Sequence, residues 1–156
     1  MNYIISLNCK VSANNAEEAK NKALMSIQVK EAAPMVLLPL NVYERLREYC
    51  DHRKENFIVL LLNTQQEIIA QEVVSVGTLN TSLVHPREVY QRAIAAGCAS
   101  IIVAHNHPSG SLEPSTEDLQ ITKRLQDAGK LLGIELVDHV IISKQGYSSF
   151  RERNLL

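Results

Sequence analysis

His105-Asn106-His107-Pro108, followed by Ser115 and Asp118, is the stretch of this chain best suited to chemistry. One residue separates the histidines, and a carboxylate follows eleven positions beyond the second. Neutral imidazole and carboxylate are good zinc ligands, and three protein ligands leave one tetrahedral position open for water. A structural site would normally fill all four positions, often with cysteine. An open site activates water, so the pattern points to a metallohydrolase. A lone His-x-His is a weak signal. Ser115-x-x-Asp118 also has a plainer reading, a box-like cap for the first amides of a helix. The cap accounts for the serine and the aspartate but not for the two histidines and the turn between.

The flanking elements can bring these groups together. Ser100-Ile101-Ile102-Val103-Ala104 is short, apolar and rich in β-branched residues, so it reads as a buried strand. Side chains alternate along a strand, which turns His105 and His107 to one face and Asn106 to the other. Pro108, Ser109 and Gly110 break the strand. From Ser115 the pattern is helical, with Ile121, Leu125, Ala128 and Leu132 on one face and Gly133 as the stop. Gly129 is an unfavourable residue inside that helix. Asp118 falls in its first turn, from which it can reach back to the histidines.

His105-x-His107-Pro108 with Ser115-x-x-Asp118 resembles the JAMM signature of the JAB/MPN metalloprotease superfamily. The run from His105 to Asp118 is similar more narrowly to the RadC-like branch. So are Val76-Gly77-Thr78-Leu79-Asn80, His85-Pro86-Arg87-Glu88-Val89 and Asp138-His139. The resemblance runs from about Glu55 to about Arg153. It implies a JAB/MPN (cytidine-deaminase-like) α/β fold and a zinc ion held by His105, His107 and Asp118, with water in the fourth place. It also implies an upstream glutamate as general base and Ser115 as a donor to the tetrahedral oxyanion. The superfamily's glutamate opens an early strand. Glu55 stands before Asn56-Phe57-Ile58-Val59-Leu60-Leu61-Leu62, the most apolar run, and matches that place. Glu88 is the rival, although an acidic residue in a first helical turn is favoured there on electrostatic grounds alone. The expected activity is zinc-dependent cleavage of a peptide or isopeptide amide bond. The alternative is a DNA-repair-associated or mobile-element accessory protein that acts by binding, with a structural or vestigial metal.

The remaining residues fit one mixed β-sheet flanked by helices. Asn41 to Tyr49 reads as a helix with Val42, Leu46 and Tyr49 on one side. Asn63-Thr64-Gln65-Gln66 is a polar turn leading to a strand from Ile68 to Val76, with Glu67 and Glu72 facing solvent. A helix from Pro86 to Ala96 is expected to bury Val89, Ala93 and Ile94, and His85 marks a loop-to-helix transition with proline at the first turn. A strand from Ile134 to Ile142 and a hairpin through Gly146 complete the domain. Adjacent strand residues face opposite ways, so Asp138 and His139 are expected to be one buried and one exposed, with a role in orienting a zinc ligand open to the buried one.

Residues 1–40 are read as a strand-helix extension and residues 41–156 as the RadC-like JAB/MPN domain. In the extension, Tyr3, Ile5 and Leu7 alternate as in a strand, and Asn15 with Glu18 caps a helix over 16–27. One strand and one helix cannot bury a core alone, so this segment is expected either to pack on the main domain or to pair with another chain, and it is the first place to look for a homodimer contact. The chain has 156 residues, 46% hydrophobic, enough to bury a core without cross-links. A net charge of −1 gives no electrostatic reason to expect nucleic acid. Cys9, Cys50 and Cys98 are odd in number and far apart, which fits reduced thiols in a cytoplasm. No segment reads as a membrane span or signal peptide. The expected partner is therefore a peptide or protein substrate, with DNA suggested only by family association.

Overall fold

The computed structural model describes residues 3–6, 28–31, 38–77 and 84–156. The chain divides into two compact units, Met1–Pro34 and Met35–Leu156. In the first, β1 (Tyr3–Ser6) and β2 (Gln28–Glu31) pair antiparallel, with Tyr3 opposite Glu31. Alternation marks β1 in the sequence. The polar Gln-Val-Lys-Glu of β2 gives no such signal. The helix expected over 16–27, Cys9 and the Thr78-Leu79-Asn80 part of the RadC-like pattern lie outside the described residues.

The second unit runs α1 (Pro39–Arg45), a 3₁₀ turn (Arg47–Asp51), β3 (Glu55–Leu62), β4 (Ile68–Gly77), α2 (Pro86–Ala95), β5 (Ser100–Asn106), α3 (Thr116–Leu132), β6 (Glu135–Ser143) and β7 (Gly146–Ser149). Its strands form one sheet in the order β4-β3-β5-β6-β7, antiparallel except for β5 and β6. Parallel neighbours cannot be joined by a hairpin and need a crossover, which α3 supplies.

Both faces of the sheet are covered, which is why β3 and β5 are apolar throughout rather than alternating. Phe57, Val59, Leu61, Ile101 and Val103 pack with Val89, Tyr90, Ala93, Ile121 and Leu125 of α2 and α3. Ile58, Leu60, Leu62, Ile102 and Ala104 take the other face, against Val42, Leu46 and Cys50. Each fully buried Val, Leu, Ile or Phe among these contributes roughly 1.5–3 kcal/mol. Among the described residues, no helix is long and apolar enough to cross a membrane. Cys50 and Cys98 are free and buried.

Three expectations need correction. The first helix begins at Pro39, whose fixed φ suits the first turn, and it tightens into the 3₁₀ turn at Arg47 instead of running to Tyr49. In α2, Ile94 is 57% exposed and Tyr90 takes the inner position, its hydroxyl donating to the Leu125 carbonyl at 2.8 Å. In α3, Leu132 is 46% exposed and the buried face passes through Gly129 instead. Gly133 stops the helix as expected, in the left-handed region at φ 70°.

Gly129 is there because nothing larger fits. A Cβ at this position would lie 2.4 Å from both the Ile134 carbonyl oxygen and the Tyr90 hydroxyl. The tyrosine can shift, but the carbonyl is backbone and cannot. Gly129→Ala is therefore expected to destabilise the fold by about 1–3 kcal/mol, although alanine is the better helix former. Urea unfolding would check this, and a variant as stable as the wild type would refute the close approach as the reason for glycine.

Candidate metal centre

Pairing of β3 with β5 sets Phe57 opposite His105. Extending that register by two residues brings Glu55 level with His107. Alternation then turns Glu55, His105 and His107 to the face that α3 covers. Asp118 is the third residue of α3, so the helix start closes the site from above.

The start of α3 is itself tied to the site. Ser115 caps the helix, its hydroxyl accepting from the Asp118 N–H at 3.1 Å. In return Asp118 Oδ2 accepts from the Ser115 N–H at 2.8 Å and from the Ser115 hydroxyl at 2.7 Å. The capping box and the cluster thus share one carboxylate, and the two sequence readings of Ser115-x-x-Asp118 coexist. The other oxygen, Asp118 Oδ1, is buried without a hydrogen-bond partner and lies 3.2 Å from His105 Nε2.

The histidines aim their Nε2 atoms at the same point, 2.9 Å apart. His107 Nδ1 lies 2.9 Å from the Ser111 carbonyl oxygen, which can only accept. The ring hydrogen of His107 is therefore on Nδ1, and its Nε2 offers a lone pair to the cluster. Glu55 Oε1 stands 3.7 Å from His105 Nε2 and 3.8 Å from His107 Nε2. One ligand atom from each of Glu55, His105, His107 and Asp118 lies within 4.8 Å of the others. Two imidazoles, an orphaned buried carboxylate oxygen and a second carboxylate fit a divalent cation of the zinc type.

Burial pushes the Asp118 carboxyl up, but the adjoining His105 and His107 rings, with the Ser115 hydroxyl, outweigh it and hold the group well below the usual carboxylate range. Burial opposes charge on His107, yet Asp118 and the Ser111 carbonyl raise it above its ordinary value. For the fully buried His105, burial wins over Asp118 and favours the neutral, ligating form.

Asn106, between the two histidines, faces the other way and holds the strand that carries Glu55. Its Oδ1 accepts from the Asn56 N–H at 2.7 Å, and its Nδ2 donates to the Lys54 carbonyl at 3.1 Å. These are the peptide groups on either side of Glu55. Alternation could have singled out Asn106 as the residue on the far face, but its partners depend on the β3–β5 register.

Of the glutamates weighed as bases, the structure brings only Glu55 into the cluster. Glu88 sits in the first turn of α2, and its backbone carbonyl accepts from Arg92. Glu72 pairs with Arg92 at 2.8 Å, while Glu67 is half-buried and accepts from Asn63 in the turn. His85 caps α2 ahead of Pro86, as a loop-to-helix transition requires.

Asp138 and His139 overturn the expectation of one buried and one exposed side chain, since both are buried. The β5–β6 register steps from Ile101 opposite Leu136 to Ile102 opposite Asp138, leaving Val137 as an extra residue. This bulge sets His139 on the face that α3 covers and Asp138 on the other, and both are buried because both faces of the sheet are covered. Asp138 accepts from the His139 and Arg151 amides and the Ser149 hydroxyl. His139 Nε2 lies 2.8 Å from His105 Nδ1.

A mixed sheet with this four-residue group at the paired ends of β3 and β5 defines a JAB/MPN-fold domain carrying a candidate metal site. The RadC-like JAB domain matches residues 36–155, and the chain belongs to that family. A UPF0758 protein of Rubrobacter xylanophilus is 46% identical over 133 residues, 85% of this chain and 58% of the relative. A UPF0758 protein of Alkaliphilus metalliredigens is 54% identical over 104 residues, 67% of this chain and 45% of the relative. One from Clostridioides difficile is 42% identical over 150 residues, 94% of this chain and 64% of the relative. The chain thus spans 45% to 64% of the length of these curated relatives.

Proposed function

We propose that the domain is a zinc-dependent hydrolase of an amide bond, in a peptide or isopeptide, with His105, His107 and Asp118 as ligands and Glu55 as general base. The observation that carries this reading is the approach of Glu55 Oε1 to both ligating nitrogens at 3.7 and 3.8 Å, on a strand end separate from the histidines. When bound, zinc supplies Lewis acidity, bringing the pKa of a coordinated water towards neutrality and polarising the scissile carbonyl.

The protein's own groups divide the remaining work. Glu55 Oε1 takes the proton from the attacking water and returns it to the leaving amine, as a carboxylate in hydrogen-bonding reach can. Ser115 turns its hydroxyl from Asp118 Oδ2 towards the developing negative charge, where a fixed donor is worth most. The Ser115 N–H keeps its bond to Oδ2 throughout, so Asp118 stays oriented when the hydroxyl leaves.

Metal content by mass spectrometry, on protein purified without added metal, tests this reading. One zinc per chain in the wild type and none in His107→Ala are the expected results. They would justify screening peptide and isopeptide substrates. A wild type that stays metal-free when offered zinc would reject it.

A further inference from the structure

We propose that His139 and Thr122 are positioning residues that fix the tautomer of His105 and so keep its Nε2 lone pair aimed at the cation. The inference rests on the zinc-site reading above and extends it to two residues outside the ligand set.

The hydrogens can be placed one by one along a buried chain of contacts. Thr122 lies one turn beyond Asp118 on α3, and its hydroxyl donates to the Asp118 carbonyl at 2.5 Å. That bond uses the only hydrogen on Oγ1. Facing His139 Nδ1 at 2.6 Å, the same oxygen can therefore only accept, so the hydrogen of that contact is on Nδ1. A neutral imidazole carries one ring hydrogen, which makes His139 Nε2 an acceptor. It faces His105 Nδ1 at 2.8 Å, so that nitrogen must donate. His105 is left with a bare Nε2, the atom 3.2 Å from Asp118 Oδ1. Between Thr122 and His105 Nδ1 any other placement sets two hydrogens, or two lone pairs, against each other, whereas at the cluster the lone pairs of His105 Nε2, His107 Nε2 and Asp118 Oδ1 converge as ligands of one cation would.

The surroundings give the chain no way out. His105 and His139 are fully buried and Thr122 is 3% exposed. Phe150 stacks on the His139 ring at 4.5 Å, and Phe57 meets it edge-on at 5.6 Å. The backbone of His139 is pinned too, its N–H donating to Asp138 at 2.7 Å and its carbonyl accepting from Phe150 at 2.9 Å. His107 receives the same instruction more simply, from the Ser111 carbonyl. Both ligating rings thus have their hydrogen held on Nδ1, one by backbone and one by a two-residue relay.

The tautomers can be read without metal, from long-range ¹H–¹⁵N spectra of the metal-free protein at mildly alkaline pH. His105 and His139 should both carry their hydrogen on Nδ1 in the wild type. Zinc affinity by chelator competition then measures the consequence. Thr122→Val keeps the shape and removes the hydroxyl, and should weaken zinc binding about tenfold; His139→Gln should weaken it towards a hundredfold, the range seen when an outer partner of a metal ligand is lost. Thr122→Ser should restore wild-type affinity, which a packing role for the threonine methyl would not predict. A hydrogen on His105 Nε2, or Thr122→Val binding zinc like the wild type, would overturn the relay. Failure of the wild type to bind zinc would instead overturn the proposed function, since the tautomer spectrum judges the relay separately.

Discussion

Asp118→Ala should empty the proposed zinc site, lowering bound metal from one equivalent per chain to background and weakening affinity by at least a hundredfold. The size follows from what the carboxylate does. It supplies the anionic group nearest both histidines, 3.2 Å from His105 and 3.5 Å from His107, against 3.7 and 3.8 Å for Glu55. It also accepts two hydrogen bonds from Ser115, so alanine removes the reciprocal half of the capping box with the ligand, while the Ser115 hydroxyl can still accept from the backbone N–H of residue 118. Losing that half costs less than the roughly 1 kcal/mol of a whole cap. Asp118→Asn separates the two effects, because its amide oxygen can still accept from Ser115 while binding metal poorly. Asp118→Asn should therefore unfold near the wild-type midpoint when both are metal-free, yet bind little zinc. Equal zinc content in the wild type and in both variants would remove Asp118 from the ligand set.

Glu55→Gln should act on turnover and spare the metal. Glutamine keeps the size and the strand position, but its amide cannot take a proton from water. Positioned proton transfer contributes about 10²- to 10⁴-fold, so kcat on the amide substrate returned by screening should fall by that range with zinc content unchanged. Steady-state kinetics alongside metal analysis distinguishes the outcomes. Full activity would place the base elsewhere, while loss of zinc would show Glu55 to be a fourth ligand. Glu88→Gln is the natural control, because its place in the first turn of α2 puts it outside the cluster.

Local chemistry makes the candidate ligand positions readable in the sequence itself. Alternation along β5 puts His105 and His107 together, and the box at Ser115 fixes where α3 begins. The apolar run after Glu55 marks the strand that carries it to the site. What could not be read depends on neighbours distant in sequence. The extra residue Val137 exists only relative to β5, and the two covered faces come from distant helices, so neither the faces that Asp138 and His139 take nor their joint burial has a local signature. Gly129 looks like a weak helical residue until the turn out of α3 brings the Ile134 carbonyl against it, with Tyr90 of α2 on the same spot. Ile94 and Leu132 have the right type for an inner face, but the packing of α2 on α3 centres on Tyr90, Leu125 and Gly129, leaving both outside it.

The side chain of Asn106 changes what would have to be transplanted to build this site in another scaffold. A designer working from the linear motif would treat the residue between the histidines as a spacer and choose it for strand propensity. Here that spacer grips the peptides before and after the proposed base. A graft of two histidines and an aspartate alone would bind an ion and leave the glutamate's strand free to wander. The smallest portable unit is the pair of antiparallel strand ends locked by one amide, with the capped helix laid across them.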